Sequence, residues 1–475
     1  MGAFEFQSVF AQTDVTCAIF LGLDNQNLIA VSGETGLIST FGLQGSNAPQ
    51  LLDSRMWGDD VVDVPPSDGE LSNDGSLWLW SHLDGRVWID GAGDVTGQLA
   101  DQPLVISTMV QMSFGAYIIA PHGHDQLMLI NGENGEFSSF ATISDDAKLN
   151  IANPSALLTV NVGLTEFLIA SSHTESGISS FRVDDQEFTA VDSIGQKDGM
   201  WTSGISTLNT CEVEGTTYVL ALSSETDSIV SLRLNDLGVF FKTDQIWDTR
   251  DTRFSGATDF EAFEWSGRDF IVVGGQDLGL SLIEVLPDGT LFHHQSIEQS
   301  ASWHVGPITQ IEVAMGVEAA HIFVTGSQEA GIAQLTLDLS SMGGRQLGDD
   351  GDNELSGGWM DDILIGGAGN DYLIGKAGDD ILIDGSGEDI LEGENGDDIF
   401  VFQSDGQLDK IKDFLHGEDR IHLAGWGRIY DYSALEIERM SFGARISWGN
   451  EVLEVLSKNR QPIEVSEWGA DDFIF

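Results

Sequence analysis

Written in nines, residues 348–401 read GDDGDNELS GGWMDDILI GGAGNDYLI GKAGDDILI DGSGEDILE GENGDDIFV. The six units follow the template G-G-x-G-x-D-x-U-x, in which U is a large apolar residue. The U slot holds Leu355, Leu364, Leu373, Leu382, Leu391 and Phe400, and the acid slot holds Asn353, Asp362, Asp371, Asp380, Asp389 and Asp398. Glycines in such turns admit positive φ and bare their carbonyl oxygens; Gly351, Gly367, Gly369, Gly378, Gly387 and Gly396 fill this role. The aspartate adds a hard anionic oxygen, and the x-U-x that follows makes a short strand with one buried side chain. Three departures from the template bear on the turns that would hold an ion. Met360 replaces the second-turn glycine of its unit, Asp384 replaces a leading glycine, and Asn353 replaces an aspartate.

This segment holds twelve Asp and four Glu against one Lys, a net charge of −15 in 54 residues. Calcium takes roughly six to eight oxygen ligands in flexible geometry, which two facing turns can supply. Without cations such a stack repels itself, so ion binding and folding are expected to be coupled. The expected cofactor is calcium, as several ions held by the acid-slot residues and turn glycines named above.

The repeat resembles the calcium-binding roll of RTX (repeat-in-toxin, hemolysin-type) proteins. In that family two nines make one coil of a parallel β-roll, so turns eighteen residues apart stack and share an ion. The resemblance implies the sharing pairs Asp371/Asp389, Asp362/Asp380 and Asp380/Asp398, with Asn353/Asp371 poorer for want of one carboxylate. The segment FVFQSDGQLDKIKDFLHGEDRIHLAGWG (400–427) is similar to the flank that caps such rolls, with D-x-I-x-D-F at 409–414 and G-x-D-x-I at 417–421. The acidic-then-apolar ending Asp471, Asp472, Phe473, Ile474, Phe475 looks like an uncleaved type I secretion signal. The resemblance therefore implies export by type I secretion machinery to an extracellular, cell-surface-associated location. The N-terminal stretch MGAFEFQSVFAQTDV has no basic start, long apolar run or small-residue cleavage site, so the usual export route is not expected.

Upstream, the period lengthens to about fifty residues. Short apolar runs begin at Asn27, Ser76, Tyr117, Phe167, Tyr218, Phe270 and His321, spaced 49, 41, 50, 51, 52 and 51 residues apart. Each is preceded by one strand-like segment and most are followed by two more, as in SSFRVDD (179–185) and EFTAVDSI (187–194). Seven units of four strands describe a seven-bladed β-propeller. The last unit lacks its outer strand, which AFEFQSVF (3–10) can supply to close the ring. The stretch GATDFEAFEWSGRDFIVVGG (256–275) loosely resembles the epilepsy-associated repeat and related bacterial propeller repeats, which implies a binding platform.

The whole chain carries 20 Lys+Arg against 77 Asp+Glu, a formal charge of −57. That balance argues against nucleic acid and anionic lipid as partners. No apolar run reaches the roughly 18–20 residues that span a bilayer, so membrane insertion is not expected. Two cysteines, Cys17 and Cys211, exclude a disulfide scaffold and a thiolate zinc cluster and read as core residues. There is no H-E-x-x-H, G-x-S-x-G or phosphate-binding loop. The weak catalytic candidates are Asp259, Glu261 and Glu264, which alternate along an expected innermost strand where channel-facing carboxylates can act as acid and base. His122 and His124 read as surface residues, and His293 and His294 face opposite sides of a strand. Trp201 and Trp303-His304 occupy equivalent entry loops, where an aromatic platform suits a sugar ring and packing between blades explains Trp equally well.

The expected fold is all-β: a propeller at 1–342, a roll at 343–402, and a β-rich cap with secretion signal at 403–475. The expected function is a secreted calcium-binding protein whose propeller is a binding or assembly module toward a cell surface, matrix, surface layer or polysaccharide. The alternative is a secreted lactonase- or glycosidase-like hydrolase with its site in the propeller channel.

Overall fold

The computed structural model describes residues 106–474 almost continuously, apart from 134–135, 147, 184–186, 301–302, 329–330, 428 and 430, and in 4–103 chiefly the strands named below. Cys17 lies outside the described residues. The chain divides into two compact units, Phe4–Leu337 and Asp338–Phe475.

The first unit is a seven-bladed β-propeller: seven four-stranded antiparallel sheets among the described residues. The first strands of the blades are Ala18–Asp24, Asp68–Leu71, Ile106–Gln111, Pro154–Val162, Ile205–Val213, Asp259–Trp265 and Ile308–Met315. Each neighbours the next around the ring, and the seventh meets the first. The strand Phe4–Phe10 pairs antiparallel with Ile332–Asp338, Phe4 opposite Leu337, and completes the seventh blade. That strand covers the edge that Ile332–Asp338 would otherwise present.

Burial explains why the second strand of each blade is so legible in the sequence. A second strand packs against blades on both faces and so needs apolar side chains on both. Leu77–Trp80, Tyr117–Pro121 and Arg268–Gly274 are buried along their whole length. Outer strands face solvent and carry a broken pattern, as in Phe188–Ile194. Between the fourth and fifth blades Val160, Phe167 and Ile169 pack with Ile205, Val219 and Val230. Between the fifth and sixth, Tyr218, Leu220 and Leu222 pack with Phe254, Ile271 and Val273.

The second unit is a parallel β-solenoid with a β-rich cap. Strands pair in parallel at an offset of eighteen residues: Ile363 with Ile381 and Ile381 with Ile399 in one sheet, Leu373 with Leu391 in the other. Two nines thus make one coil. Leu364, Leu373, Leu382, Leu391 and Phe400 stack fully buried down its centre. Each contributes about 1.5–3 kcal/mol by leaving water. The same core runs on into the cap through Ile411, Phe414, Ile421, Trp468 and Phe473. Cap strands Leu408–Phe414 and Arg420–Gly425 extend the two parallel sheets, and Phe473–Ile474 adds beside the second of them. Among the described residues no helix is long and apolar enough to cross a membrane.

Candidate functional site

Stacking at an eighteen-residue offset brings each acid-slot carboxylate under the backbone of the turn before it. Oδ1 of Asp371 accepts from the Asn353 amide at 2.8 Å, and Oδ1 of Asp389 from the Asp371 amide at 2.6 Å. On the other edge Asp380 accepts from Asp362 at 2.8 Å and Asp398 from Asp380 at 3.0 Å. The expected pairs are therefore adjacent rungs of two ladders. Both ladders continue into the cap, where Asp409 accepts from the Asp389 amide and Asp419 from the Asp398 amide. These two rungs were missed because their spacings are 20 and 21 residues rather than eighteen. The D-x-I-x-D-F and G-x-D-x-I segments were the available signal.

The ladder carboxylates are buried: Asp380 is 0% exposed, Asp389 and Asp398 1%, Asp371 and Asp409 2%. The second oxygen, Oδ2, of Asp371, Asp380 and Asp389 has no hydrogen-bond partner. Burial, reinforced by neighbouring carboxylates, pushes the carboxyls of Asp389 and Asp419 up to about 6, of Asp380 and Asp409 to about 7, and of Asp398 to about 8. None of the ion pairs among the described residues involves a ladder carboxylate; Lys410 pairs with Glu454 and Lys412 with Glu392 on the outer face. Bare, buried carboxylate oxygens in an all-oxygen setting suit a hard divalent cation.

The remaining acid-slot residues differ. Asp362 is satisfied by backbone, its oxygens accepting from the amides of Gly344 and Gly358. Asn353 turns its Oδ1 to the Asp349 amide of its own turn. Gly367, Gly369, Gly378, Gly387 and Gly396 take φ between +98° and +145°, whereas Gly351 is not in the left-handed region. At Met360 the backbone also avoids positive φ, and the side chain is half exposed.

In the propeller, Asp259 and Glu261 are joined by two carboxylates that the sequence did not single out. Asp68 of the second blade acts electrostatically on Asp259, and Glu261 and Asp259 act on Glu312 of the seventh. Asn209 donates to Glu261 at 3.4 Å, and the Asp259 carboxylate accepts from the Ile311 amide at 2.8 Å. Asn209, Glu261 and Glu312 lie 52 and 51 residues apart, equivalent places in successive blades, and that spacing was the available signal. Carboxylates of the second, sixth and seventh blades thus act on one another here. Burial pushes the Asp68 and Asp259 carboxyls up to about 7 and holds those of Glu261 and Glu312 well above the carboxylate range. Glu264 is no part of the group. It is exposed at the hairpin that follows, where it accepts from the Gly267 amide.

Other candidates separate. Trp303 is buried at 2% while Trp201 is 57% exposed, so the two do not form a shared platform. His122 and His124 are exposed, and His122 meets Ser107 at 3.1 Å. His293 meets Ser296, whereas His294 turns inward to Glu284 at 2.6 Å. Cys211 is a free thiol pushed far up by burial, hence unreactive.

No family model and no curated protein matches the chain. Solved structures similar to it include virginiamycin B lyase from Staphylococcus aureus, with 11% identity, 71% of this chain and 100% of that chain covered, and a TM-score of 0.48. A putative 6-phosphogluconolactonase from Bacteroides fragilis has 12% identity, covers 61% of this chain and 85% of its own, and has a TM-score of 0.46. The periplasmic gluconolactonase of Pseudomonas aeruginosa has 15% identity, 58% and 84% coverage, and a TM-score of 0.45. Likeness at this level says nothing of substrate or chemistry.

Proposed function

We propose that the second unit is a calcium-dependent folding module of the RTX type, in a chain exported by type I machinery to the cell exterior. The propeller then serves as the binding module toward a surface or polysaccharide partner. The observation that supports this best is the set of buried Oδ2 atoms of Asp371, Asp380 and Asp389 without a partner. Asp362, Asp371, Asp380, Asp389 and Asp398 would hold the ions, with the cap residues Asp409 and Asp419. A bound dication supplies the positive charge that these carboxylates otherwise lack. The chain's own part is to bury the ladder, fix one oxygen of each carboxylate on a backbone amide, and leave Oδ2 of Asp371, Asp380 and Asp389 free. Hydrogen exchange of the full chain tests this. In millimolar calcium the amides of Asp362, Asp371, Asp380 and Asp389 are expected to be protected, and in chelator to exchange at least a hundredfold faster. Equal protection in both would overturn the proposal.

The converging channel carboxylates favour a second reading, a hydrolase in which one protonated carboxyl acts as acid beside an ionised neighbour. The folded pKa values lie above the unfolded ones. The stability these groups contribute is therefore fully present below about pH 4 and lost as pH rises through about 7 and beyond. The propeller's melting temperature is expected to fall between pH 6 and 9, and Glu312→Gln to flatten that fall by about 2–4 °C. A pH profile unchanged in the variant would remove the carboxylate group as a functional unit.

A further inference from the structure

Position 384 is where the nine-residue pattern breaks in the most consequential way. At Gly357, Gly366, Gly375 and Gly393 the same leading position is glycine, and a Cβ there would meet Oδ2 of the aspartate five residues on. The separations would be 2.8 Å to Asp362, 2.5 Å to Asp371, 2.3 Å to Asp380 and 2.0 Å to Asp398. The repeat thus keeps that spot empty so that the carboxylate can occupy it. In the fifth nine the spot carries the Asp384 side chain, which lies against Asp389 instead of leaving it room.

Asp384, Asp389 and Asp409 each offer a carboxylate oxygen within 4.8 Å of the other two, and all three residues are buried. Asp384 accepts from the amides of Gly385 and Gln403, and Asp409 from the amide of Asp389. N–H donors of this kind favour the ionised carboxylate. Asp389 is 1% exposed, and its Oδ2, the oxygen that faces the leading position in the other nines, has no partner. Nearby Asp405 accepts from the Gly387 amide, and Glu451 from the amides of Asp405 and Gly406, so further negative charge surrounds the group. Three carboxylates closing on one buried point, with an oxygen left bare, cannot all stay ionised without a counter-charge.

We propose that Asp384, Asp389 and Asp409 form a three-carboxylate site for a hard divalent cation, tighter than the two-carboxylate rungs, at the junction of roll and cap. The proposal rests on the reading of the roll as calcium-binding. The affinity of oxygen-ligand calcium sites follows the number of charged ligands, so a third carboxylate strengthens the site. The departure at position 384, which looks like decay of the repeat, is on this view a gain.

The test is calorimetric titration of the full chain with calcium, for the natural sequence and for Asp384→Gly and Asp384→Asn. Asp384→Gly restores the residue of the neighbouring nines, and Asp384→Asn keeps the shape without the charge. The natural chain is expected to show one site at least tenfold tighter than the rest, and both variants to lose that tight phase while keeping the weaker ones. The melting temperature of the second unit gives a second readout. In chelator Asp384→Gly is expected to match or exceed the natural chain, and in millimolar calcium to fall below it. An unchanged isotherm in both variants would overturn the site, as would a loss of stability equal in chelator and calcium, which marks an acid pair sharing a proton. A natural chain that binds no calcium at all would overturn the roll's proposed function, a separate and distinguishable failure.

Discussion

Gly387→Ala will destabilise the second unit in saturating calcium by about 3–5 kcal/mol, the summed effect of strain and overpacking. Gly387 sits at φ +138°, and a Cβ there would lie 1.7 Å from the carbonyl oxygen of Gly369. That neighbour is backbone of the preceding coil, so no side chain can swing aside. The coil would have to open, and with it the rungs on either side. The melting temperature of the second unit in calcium measures the effect. Gly344→Ala is the control, because nothing lies within 4 Å of a Cβ at Gly344 and its φ is not in the left-handed region; it should change melting little. A Gly387→Ala protein that melts with the natural one would show that the coils are not stacked as described.

Arg268→Met will cost the propeller about 3–5 kcal/mol, because it strands a buried carboxylate. Glu284 is fully buried, accepting from Arg268 Nε at 3.0 Å, from Arg268 Nη2 at 2.8 Å and from His294 Nε2 at 2.6 Å. Burial alone would raise its carboxyl, but the Arg268 guanidinium and His294 hold it down at about 2. Burial lowers the pKa of His294, whose Nε2 meets Glu284 and whose Nδ1 has no hydrogen-bond partner. The guanidinium also lies 5.4 Å from the Phe270 ring centre. Removing both charges with Arg268→Met/Glu284→Met should recover most of the loss, since apolar replacement of a buried pair is often near neutral. Thermal melting of the natural, single and double variants measures this. A single variant as destabilised as the double would mean that packing, and not the stranded charge, sets the cost.

How much of this was legible in the sequence depended on how local each cause is. The roll could be read residue by residue because turn, rung and core recur at one fixed spacing. The second strands of the propeller could be read because burial on both faces demands apolar runs. Asp409 and Asp419 escaped the count because longer connections in the cap shift their spacing although the stacking continues. The meeting of Asp68 with Asp259 depends on ring closure between the second and sixth blades, which no local pattern encodes. Glu264 misled because it was grouped with Asp259 and Glu261 although it lies three residues after Glu261, on the opposite face of the strand and at the hairpin. The Arg268–Glu284–His294 group was invisible for a related reason. Its members lie on three strands whose register fixes their contact.

The central claim is that the two carboxylate ladders are filled by calcium, and calorimetric titration of the purified full chain with calcium at neutral pH tests it most directly. Several ions per chain are expected to bind, with dissociation constants on the order of 10⁻⁴–10⁻³ M or tighter, and Asp380→Asn should abolish part of that binding while leaving the propeller's melting unchanged. A chain that takes up no calcium at concentrations of about 10 mM, well above that range, while its second unit is already folded, would contradict the claim.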